Sequence, residues 1–330
     1  MLAYIIRRIL YAIPILIGVN VITFTLFFVV NKPDDMARMH LGMKHVQQAD
    51  IEKWKQSHGY DKPLFYNNAP EAGGYFSETI FFQKSLKLFL FDFGSADDGR
   101  NIGHDIRQRI PPSLAIAIPI FLLGLLVNIT FALLIAFFRA TYVDYTGMIF
   151  CVVLMSISTL FYIIGGQYLI SKLWHLVPIS GFSSHIATLS KFIILPVVVG
   201  VIGGIGSGTR WYRTIFLEEI GKDYVRTVRA KGMPERIVLF RHVLRNGMVP
   251  ILTGVVVVIP LLFMGSLILE SFFGIPGLGS YTIDAIGSQD FAIVRAMVFL
   301  GSVLYILGLI LTDISYTIVD PRIRLGAESS

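Results

Sequence analysis

Few residues of this sequence are spaced as in an enzyme active site. Its single cysteine, Cys151, lies inside an apolar run, and no group of histidines and cysteines has the spacing of metal ligands. No stretch reads Gly-x-x-x-x-Gly-Lys-Ser/Thr, because the glycine-rich run Gly203–Gly208 lacks the lysine that would contact a phosphate. We therefore expect no catalytic residue, no metal ion and no nucleotide-binding loop in this chain.

The densest group of charged side chains is a segment that we call the basic corner, Trp211–Arg245. Nine lysine and arginine residues fall between Arg210 and Arg245. The pattern predicts a helix over Glu218–Lys231, ended by Gly232, which can adopt the left-handed conformation. Pro234 then suits the first position of a second helix, because its missing N–H costs nothing there. The segment is predicted to form a helix–turn–helix corner.

Two interpretations of the basic corner remain open from spacing alone. Tyr224, Val228 and Lys231 share one face of the first predicted helix, and Arg229 lies on another. A corner with apolar and basic groups at a membrane surface could enter a groove on a soluble partner. Alternatively, the positive charges could serve only to fix the topology of the neighbouring apolar segments.

Three polar residues, Asn128, Glu270 and Asp313, lie within or at the ends of apolar runs. Polar groups inside a membrane are costly and are candidates for a substrate path. Glu270 and Asp313, the two charged residues, could instead have structural roles. Asp313 could pair with Arg322 at the interface, and Glu270 could shape an external turn.

The composition indicates a membrane protein. Of the 330 residues, 54% are hydrophobic and only 15% are charged, whereas soluble domains have roughly 25% charged residues. The N-terminal run Ile9–Val30 follows Arg7 and Arg8 but is longer than a signal-peptide core of roughly 7–15 residues. We expect it to remain as a membrane anchor.

Six apolar segments are long enough to span a membrane, which takes about 20 residues. They are Ile9–Val30, Ser113–Phe138, Tyr145–Ser171, Lys191–Thr209, Val249–Leu269 and Ala292–Ile314. The stretch Leu173–Ser190 contains Pro178 and Gly181 and is predicted to be a loop. Gly200, Gly204 and Gly208 are spaced four apart and predict close helix packing.

The lysines and arginines indicate which side of the membrane each loop faces. An N-terminus in the cytoplasm places most positive charges of the short loops inside, including the basic corner and Arg322 and Arg324 of the tail. Residues 1–30 then form the cytoplasmic N-terminus and first span, and residues 31–111 a small extracytoplasmic domain. Residues 112–330 form the helical membrane core with a cytoplasmic C-terminus. The net charge of +6 then faces anionic lipid and partner proteins, and nucleic acid is not needed to explain it.

Five sets of short motifs follow one another along the chain. They are Tyr4–Leu10; Asp92-Phe93-Gly94 with Ile110–Leu114; Tyr224–Gly232 with His242–Asn246; Phe273–Gly279; and Asp313–Tyr316 with Asp320-Pro321-Arg322. In this order the chain resembles the permease subunits of ABC importers, most closely the dipeptide/oligopeptide/nickel branch. The resemblance departs at Arg226, Thr227 and Val228, where the generic coupling motif begins Glu-Ala-Ala.

The resemblance implies an all-α type I ABC-importer permease core in a bacterial inner membrane. It implies as partners a second homologous permease, two ATPase subunits that bind ATP and Mg, and an extracytoplasmic substrate-binding protein. The basic corner becomes the coupling loop, with Tyr224, Arg226, Arg229, Ala230, Lys231, Gly232, Pro234, His242, Arg245 and Asn246 as its ATPase-coupling residues. Asn128, Glu270 and Asp313 become candidates for the substrate path.

The resemblance specifies the type of transporter more closely than its cargo. Di- and oligopeptides are the expected cargo, and nickel or a modified or antimicrobial peptide are alternatives on the same machine. A stand-alone secondary transporter is a further alternative, although no internal repeat of the kind such transporters use is present.

Overall fold

The computed structural model describes residues 2–42, 46–67 and 75–319. Within these residues the protein is almost entirely helical, and its β-structure is a single bridge between Ser95 and Asn101. The helices are α1 (Leu2–Phe24), α2 (Pro33–Leu41), α3 (Gln48–His58), α4 (Ile80–Lys84), α5 (Ile102–Phe137), α6 (Tyr142–Ser156), α7 (Thr159–Gly166), α8 (Ile186–Ile220), α9 (Asp223–Ala230), α10 (Glu235–Ile237), α11 (Leu244–Leu261), α12 (Leu267–Phe273), α13 (Leu278–Ser288) and α14 (Phe291–Val319). The predicted all-α class is confirmed.

Short stretches of π- and 3₁₀-helix extend several of these helices. The π-helical segments are Thr25–Val30 after α1, Gln167–Leu173 after α7 and Val238–Val243 before α11. The 3₁₀ segments are Leu86–Leu90 and Leu262–Met264. The motif Asp320-Pro321-Arg322 and the tail residue Arg324 lie outside the described residues.

The expectation of about six spans is confirmed. In the described part of the chain, five helical stretches are long and apolar enough to cross a membrane: Ile6–Val30, Ile102–Phe137, Thr188–Ile220, Glu235–Met264 and Phe291–Ser315. A sixth candidate is the pair Tyr142–Ser156 and Thr159–Leu173, which is bent by 86°. The loop predicted over Leu173–Ser190 holds no further span.

Two apolar runs that the sequence predicts as continuous spans are interrupted in the structure. The run predicted over Tyr145–Ser171 breaks where Ile157 is extended and the Ser158 hydroxyl caps α7 by accepting from the Leu160 N–H at 3.4 Å. The run predicted to reach Leu269 stops at Met264, because Gly265 has φ +68° and Ser266 starts α12. A serine that caps a helix can start a new helix inside an apolar run, and a hydropathy profile does not detect this.

The chain divides into two compact units. Of the described residues, the first unit comprises those within 2–109 and 281–310, and the second those within 110–280 and 311–319. The helices α5, α13 and α14 each contribute residues to both units.

Aromatic packing builds the core of the first unit. Phe24 and Phe28 at the end of the first span are 1% exposed and pack with residues from the segment that follows. The cluster contains Phe24, Phe27, Phe28, Met36, Ala37, Ile51, Trp54, Tyr60 and Ile80. The helix predicted near Gln48–Ser57 is confirmed as α3, and Gly59 ends it in the left-handed conformation. The segment after the first span is therefore anchored on that span by buried rings.

Close helix approaches in the second unit occur at glycines. An added Cβ at Gly200 would lie 2.7 Å from Ile120 Cδ1, and one at Gly208 would lie 2.4 Å from Asn128 Nδ2. The prediction of close packing is thus confirmed at these two positions and wrong at Gly204, where a Cβ would meet nothing within 4 Å. Gly206 takes that role instead, with the Cys151 carbonyl oxygen at 2.5 Å. Only side-chain-free positions allow such contacts.

Candidate functional site

The basic corner begins with a break in the helix that leads into it. The helix α8 ends at Ile220, where the Gly221 N–H bonds back to carbonyls of the last turn, and Lys222 is extended. The helix α9 then starts at Asp223. The prediction of one helix over Glu218–Lys231 is therefore wrong, since the chain changes direction before the predicted turn.

The turn itself lies at the predicted residues. Gly232 has φ +76°, a conformation that costs other residues free energy. Pro234 was predicted at the first position of the second helix, but it is extended and caps α10 from the position before it. Arg229 closes the turn by donating two hydrogen bonds to the Glu235 carboxylate, one of them Nε to Oε2 at 3.0 Å. These bonds raise the pKa of Arg229 further above its ordinary value.

Buried aliphatic side chains attach the basic corner to the membrane helices. Val225 on α9 and Val238 and Val243 of the following π-helix have no exposed surface. They pack with Phe216 of α8 and Ala132 of α5 in one core cluster. A force applied to the corner would therefore reach α5 and α8 through close-packed contacts.

A polar network supports the base of α9. The Tyr224 hydroxyl donates to Glu219 Oε2 at 2.9 Å. The side chain of Asn246 lies near enough to lower the pKa of Tyr224. Lys222 forms an ion pair with the other oxygen of the same carboxylate. Burial raises the pKa of Tyr224, so its hydroxyl remains a donor. The structure thus places Tyr224 and Asn246, which are distant in sequence, near one another.

The remaining predicted coupling residues divide by exposure. Ala230, Lys231, Gly232 and Pro234 are exposed and lie close together in the chain. Arg226 and Arg245 are also exposed. His242 is half-buried, and its Nε2 has no hydrogen-bond partner among the described residues. The corner therefore presents an edge of backbone, aliphatic and cationic groups.

One ion pair near the corner has no counterpart in the predictions. Arg213 of α8 donates to both oxygens of Asp144 at the start of α6, with Nη2 to Oδ1 at 2.7 Å and Nη2 to Oδ2 at 2.8 Å. The Ala140 N–H donates to Asp144 Oδ2 at 3.0 Å. Asp144 is only 6% exposed. The sequence signal was a lone carboxylate just before an apolar run, but nothing in the spacing indicated its partner.

Glu270 lies in a turn that encloses its carboxylate completely. Its oxygens accept from the backbone N–H groups of Ser266 at 3.0 Å, Gly279 at 2.7 Å and Ser280 at 3.1 Å. Added Cβ atoms at Gly265 and Gly277 would lie 1.9 and 2.2 Å from its oxygens. Burial raises the pKa of Glu270, and the hydrogen bonds oppose that shift. These contacts are those of a residue that shapes a turn.

The other two substrate-path candidates lie at different kinds of position. Asn128 is buried, and its Oδ1 accepts from the Thr209 hydroxyl at 3.2 Å, where α5 meets α8. Asp313 is half-buried near the C-terminal end of α14. The ion pair predicted between Asp313 and Arg322 involves a residue outside the described part of the chain.

The comparison with protein families matches nearly the whole chain. A family described as the binding-protein-dependent transport system inner membrane component matches residues 128–325. Its N-terminal counterpart matches residues 1–86.

Curated proteins similar to this chain match it almost from end to end. The oligopeptide transport system permease protein AppB of Bacillus subtilis is 30% identical over 98% of this chain and 100% of its own. A putative peptide transport system permease protein of Brucella abortus is 30% identical over 98% and 99%, respectively. The dipeptide transport system permease protein DppB of Alkalihalophilus pseudofirmus is 25% identical over 98% and 100%.

Proposed function

Because the chain belongs to the family of binding-protein-dependent transport system inner membrane components, we propose that it carries peptides across the cytoplasmic membrane as one permease subunit of an ABC importer. The observation that carries this proposal is the similarity over 98% of the chain to a permease named for oligopeptide transport. The helical membrane core and the exposed basic corner fit such a subunit.

ATP hydrolysis belongs to partner subunits in this proposal. The sequence has no phosphate-binding loop of its own, so two ATPase subunits bind ATP and Mg. A second, homologous permease completes the pathway through the membrane, and an extracytoplasmic substrate-binding protein delivers the peptide. The chain itself is not an enzyme.

The basic corner is the part that contacts an ATPase subunit. Its edge from Ala230 to Pro234 enters a groove, and Lys231 and Arg226 meet carboxylates on the ATPase surface. Lys231 has no ion pair among the described residues, and Arg226 pairs only with the highly exposed Asp223 at 3.3 Å. Arg229 instead maintains the turn through Glu235. Movement of the ATPases is transmitted through Val225 and the residues packed around it.

The orientation follows from the lysine and arginine distribution. Both termini and the basic corner face the cytoplasm, and residues 31–111 form a small domain outside. In a bacterium with two membranes this places the chain in the inner membrane.

An apolar cavity in the second unit supports a peptide path. It has a volume of about 660 Å³ and is lined by α5, α8, α11 and α12, including Ile120, Gly200 and Leu269. A wall of this kind accepts varied side chains, because apolar contact is not directional.

The experiment that tests the proposal is reconstitution of the complete importer in vesicles. The complex is isolated through an affinity tag on this chain, and uptake of a labelled tripeptide is measured with and without ATP. ATP-dependent peptide uptake with co-purified ATPases is the expected result. Nickel uptake without peptide uptake would show that the cargo is nickel. A stable complex lacking any ATPase would overturn the proposal.

A further inference from the structure

The first unit contains a polar cavity that the proposed transport path does not use. Its volume is about 470 Å³. The end of α3, the segment from α4 to Gly99 and the start of α14 form its walls. Tyr60, Lys84, Lys87 and Arg295 contribute side chains to the lining, as do His58 and Asp97. A cavity with this many charged groups is suited to a charged ligand.

Arg295 is the most buried of these charged groups, at 4% exposure. Its Nε donates to the Phe291 carbonyl oxygen at 3.2 Å and its Nη1 to the Lys84 carbonyl oxygen at 3.1 Å. The guanidinium also lies over the ring of Phe28, 4.7 Å from its centroid. No carboxylate oxygen approaches it within 4.0 Å in the described part of the chain. The protein thus fixes the position of this cation and leaves its charge without a directly bound counter-ion.

Lys84 places a second cation in the same lining. Its Nζ lies 5.3 Å from the centroid of the Tyr60 ring and, among the described residues, forms no ion pair. Burial and the nearby Arg295 lower the pKa of Lys84. Tyr60 is 5% exposed, and its hydroxyl has no hydrogen-bond partner among residues 2–42, 46–67 and 75–319. Burial raises the pKa of Tyr60, which keeps that hydroxyl a neutral donor.

The neighbouring acidic groups are committed to other partners. Asp97 faces His58 Nε2 at 3.4 Å and His40 Nδ1 at 3.8 Å. Asp290 accepts from the Ala292 and Ile293 N–H groups at 3.1 Å through one oxygen, and from the Asp97 N–H at 2.8 Å through the other. These carboxylates reduce the positive potential in the cavity from a distance. Neither of them forms an ion pair with Arg295 or Lys84.

We propose that this cavity binds a carboxylate, held by Arg295 and Lys84 with the Tyr60 hydroxyl as a third donor. A buried guanidinium with donors left over, a lysine beside it and an unpaired phenol are groups that together bind a planar anion with two acceptor oxygens. The inference rests on the proposed function, which places residues 31–111, and with them most of the cavity wall, on the side where peptides and the binding protein arrive. Two sources supply such a carboxylate there: the C-terminus of a peptide, or an acidic side chain of the substrate-binding protein.

The first experiment tests the peptide source with the full chain purified in detergent. Trp54 stacks on His58 at 4.2 Å, and His58 lines the cavity, so Trp54 fluorescence reports on its occupancy. Trp174 and Trp211 are replaced by Phe to leave Trp54 as the only tryptophan of the three. Trialanine is then titrated against trialanine amide, which lacks the negative charge.

A peptide carboxylate predicts saturable binding of trialanine and binding of the amide weaker by about tenfold or more. Lys84→Met is expected to weaken trialanine binding by a similar factor. Lys32→Met is the matched control and should change binding less than twofold, because Lys32 is exposed and does not line the cavity. Arg295→Lys keeps a buried positive charge but removes the planar guanidinium. Reduced binding by this variant would show that the paired donors of the guanidinium hold the carboxylate.

The second experiment tests the binding-protein source in the assembled importer. A water-soluble carbodiimide activates a carboxylate, and the Lys84 amine then displaces the urea to form an amide. A cross-link from this chain to the binding protein that is lost in Lys84→Met and kept in Lys32→Met would support the proposal with that source. If trialanine and its amide bind alike and no Lys84-dependent cross-link forms, the proposal is wrong. Peptide uptake by the same wild-type complex separates this failure from a failure of the transport function.

Discussion

The second unit holds charged side chains in two contrasting ways. Between α9 and α10 of the basic corner they are exposed and paired with near neighbours, as Arg226 is with Asp223 and Arg229 with Glu235. In the helical core they are buried and fully supplied with partners, as Asp144 is by Arg213 and Glu270 by three backbone N–H groups. Exposed pairs contribute little stability and can exchange partners, whereas a buried charge that loses its partner is expensive. The difference suggests that the core fixes the geometry and the corner carries the exchangeable contacts.

The largest expected effect comes from removing one side of the buried ion pair. Arg213→Met leaves Asp144 buried without its bidentate partner and should lower the free energy of unfolding by about 3–5 kcal/mol. Thermal unfolding of the purified chain in detergent measures the change. The control is the double variant Arg213→Met/Asp144→Asn, which removes both charges and should recover part of the loss. A single variant as stable as the double would show that this pair does not define the core.

A clash beside Glu270 is expected to have the next largest effect. Gly277→Ala would place a Cβ 2.2 Å from the Glu270 carboxylate, and the rearrangement should cost about 1–3 kcal/mol. Gly204→Ala is the matched control, since a Cβ there meets nothing within 4 Å, and helix propensity favours the alanine. Both variants are compared by thermal unfolding, and equal melting temperatures would contradict the enclosed turn.

Substitutions in the turn of the basic corner should affect the coupling of ATP hydrolysis to peptide uptake more than they affect stability. Gly232→Val forces a β-branched residue into the left-handed region, at a local cost of about 1–2 kcal/mol, and should change the angle between α9 and α10. We expect ATP hydrolysis by the reconstituted importer to continue while peptide uptake falls. Gly232→Asn tolerates the left-handed conformation better and should retain more uptake. Unchanged uptake in an intact Gly232→Val complex would refute the coupling role.

The smallest stability effect is expected at the exposed ion pair. Glu235→Gln should cost only about 0.2–1 kcal/mol of stability, and less at high salt. Thermal unfolding at two salt concentrations checks this. A loss as large as that of Arg213→Met would remove the distinction between the corner and the core.

Local sequence signals identified much of the corner but not its supports. Gly232 and Pro234 were predicted to form the turn, because a positive φ and a missing N–H are properties of the residues themselves. The proximity of Tyr224 to Asn246 and the pairing of Arg213 with Asp144 were not predicted, since each joins residues that are separate in sequence and lie in different helices. The break after Ile220 was also missed, because nothing in the helical periodicity marks it.

The sequence by itself determined the membrane class, the approximate spans and the family, since each depends on local composition or on short ordered motifs. Only the tertiary structure decided that Glu270 lies inside a turn, that Gly206 rather than Gly204 packs closely, and that Arg295 and Lys84 share one cavity. The physical reason is that hydropathy measures the preference of a segment for lipid over water. Which buried polar group finds a partner depends on the helices that surround it.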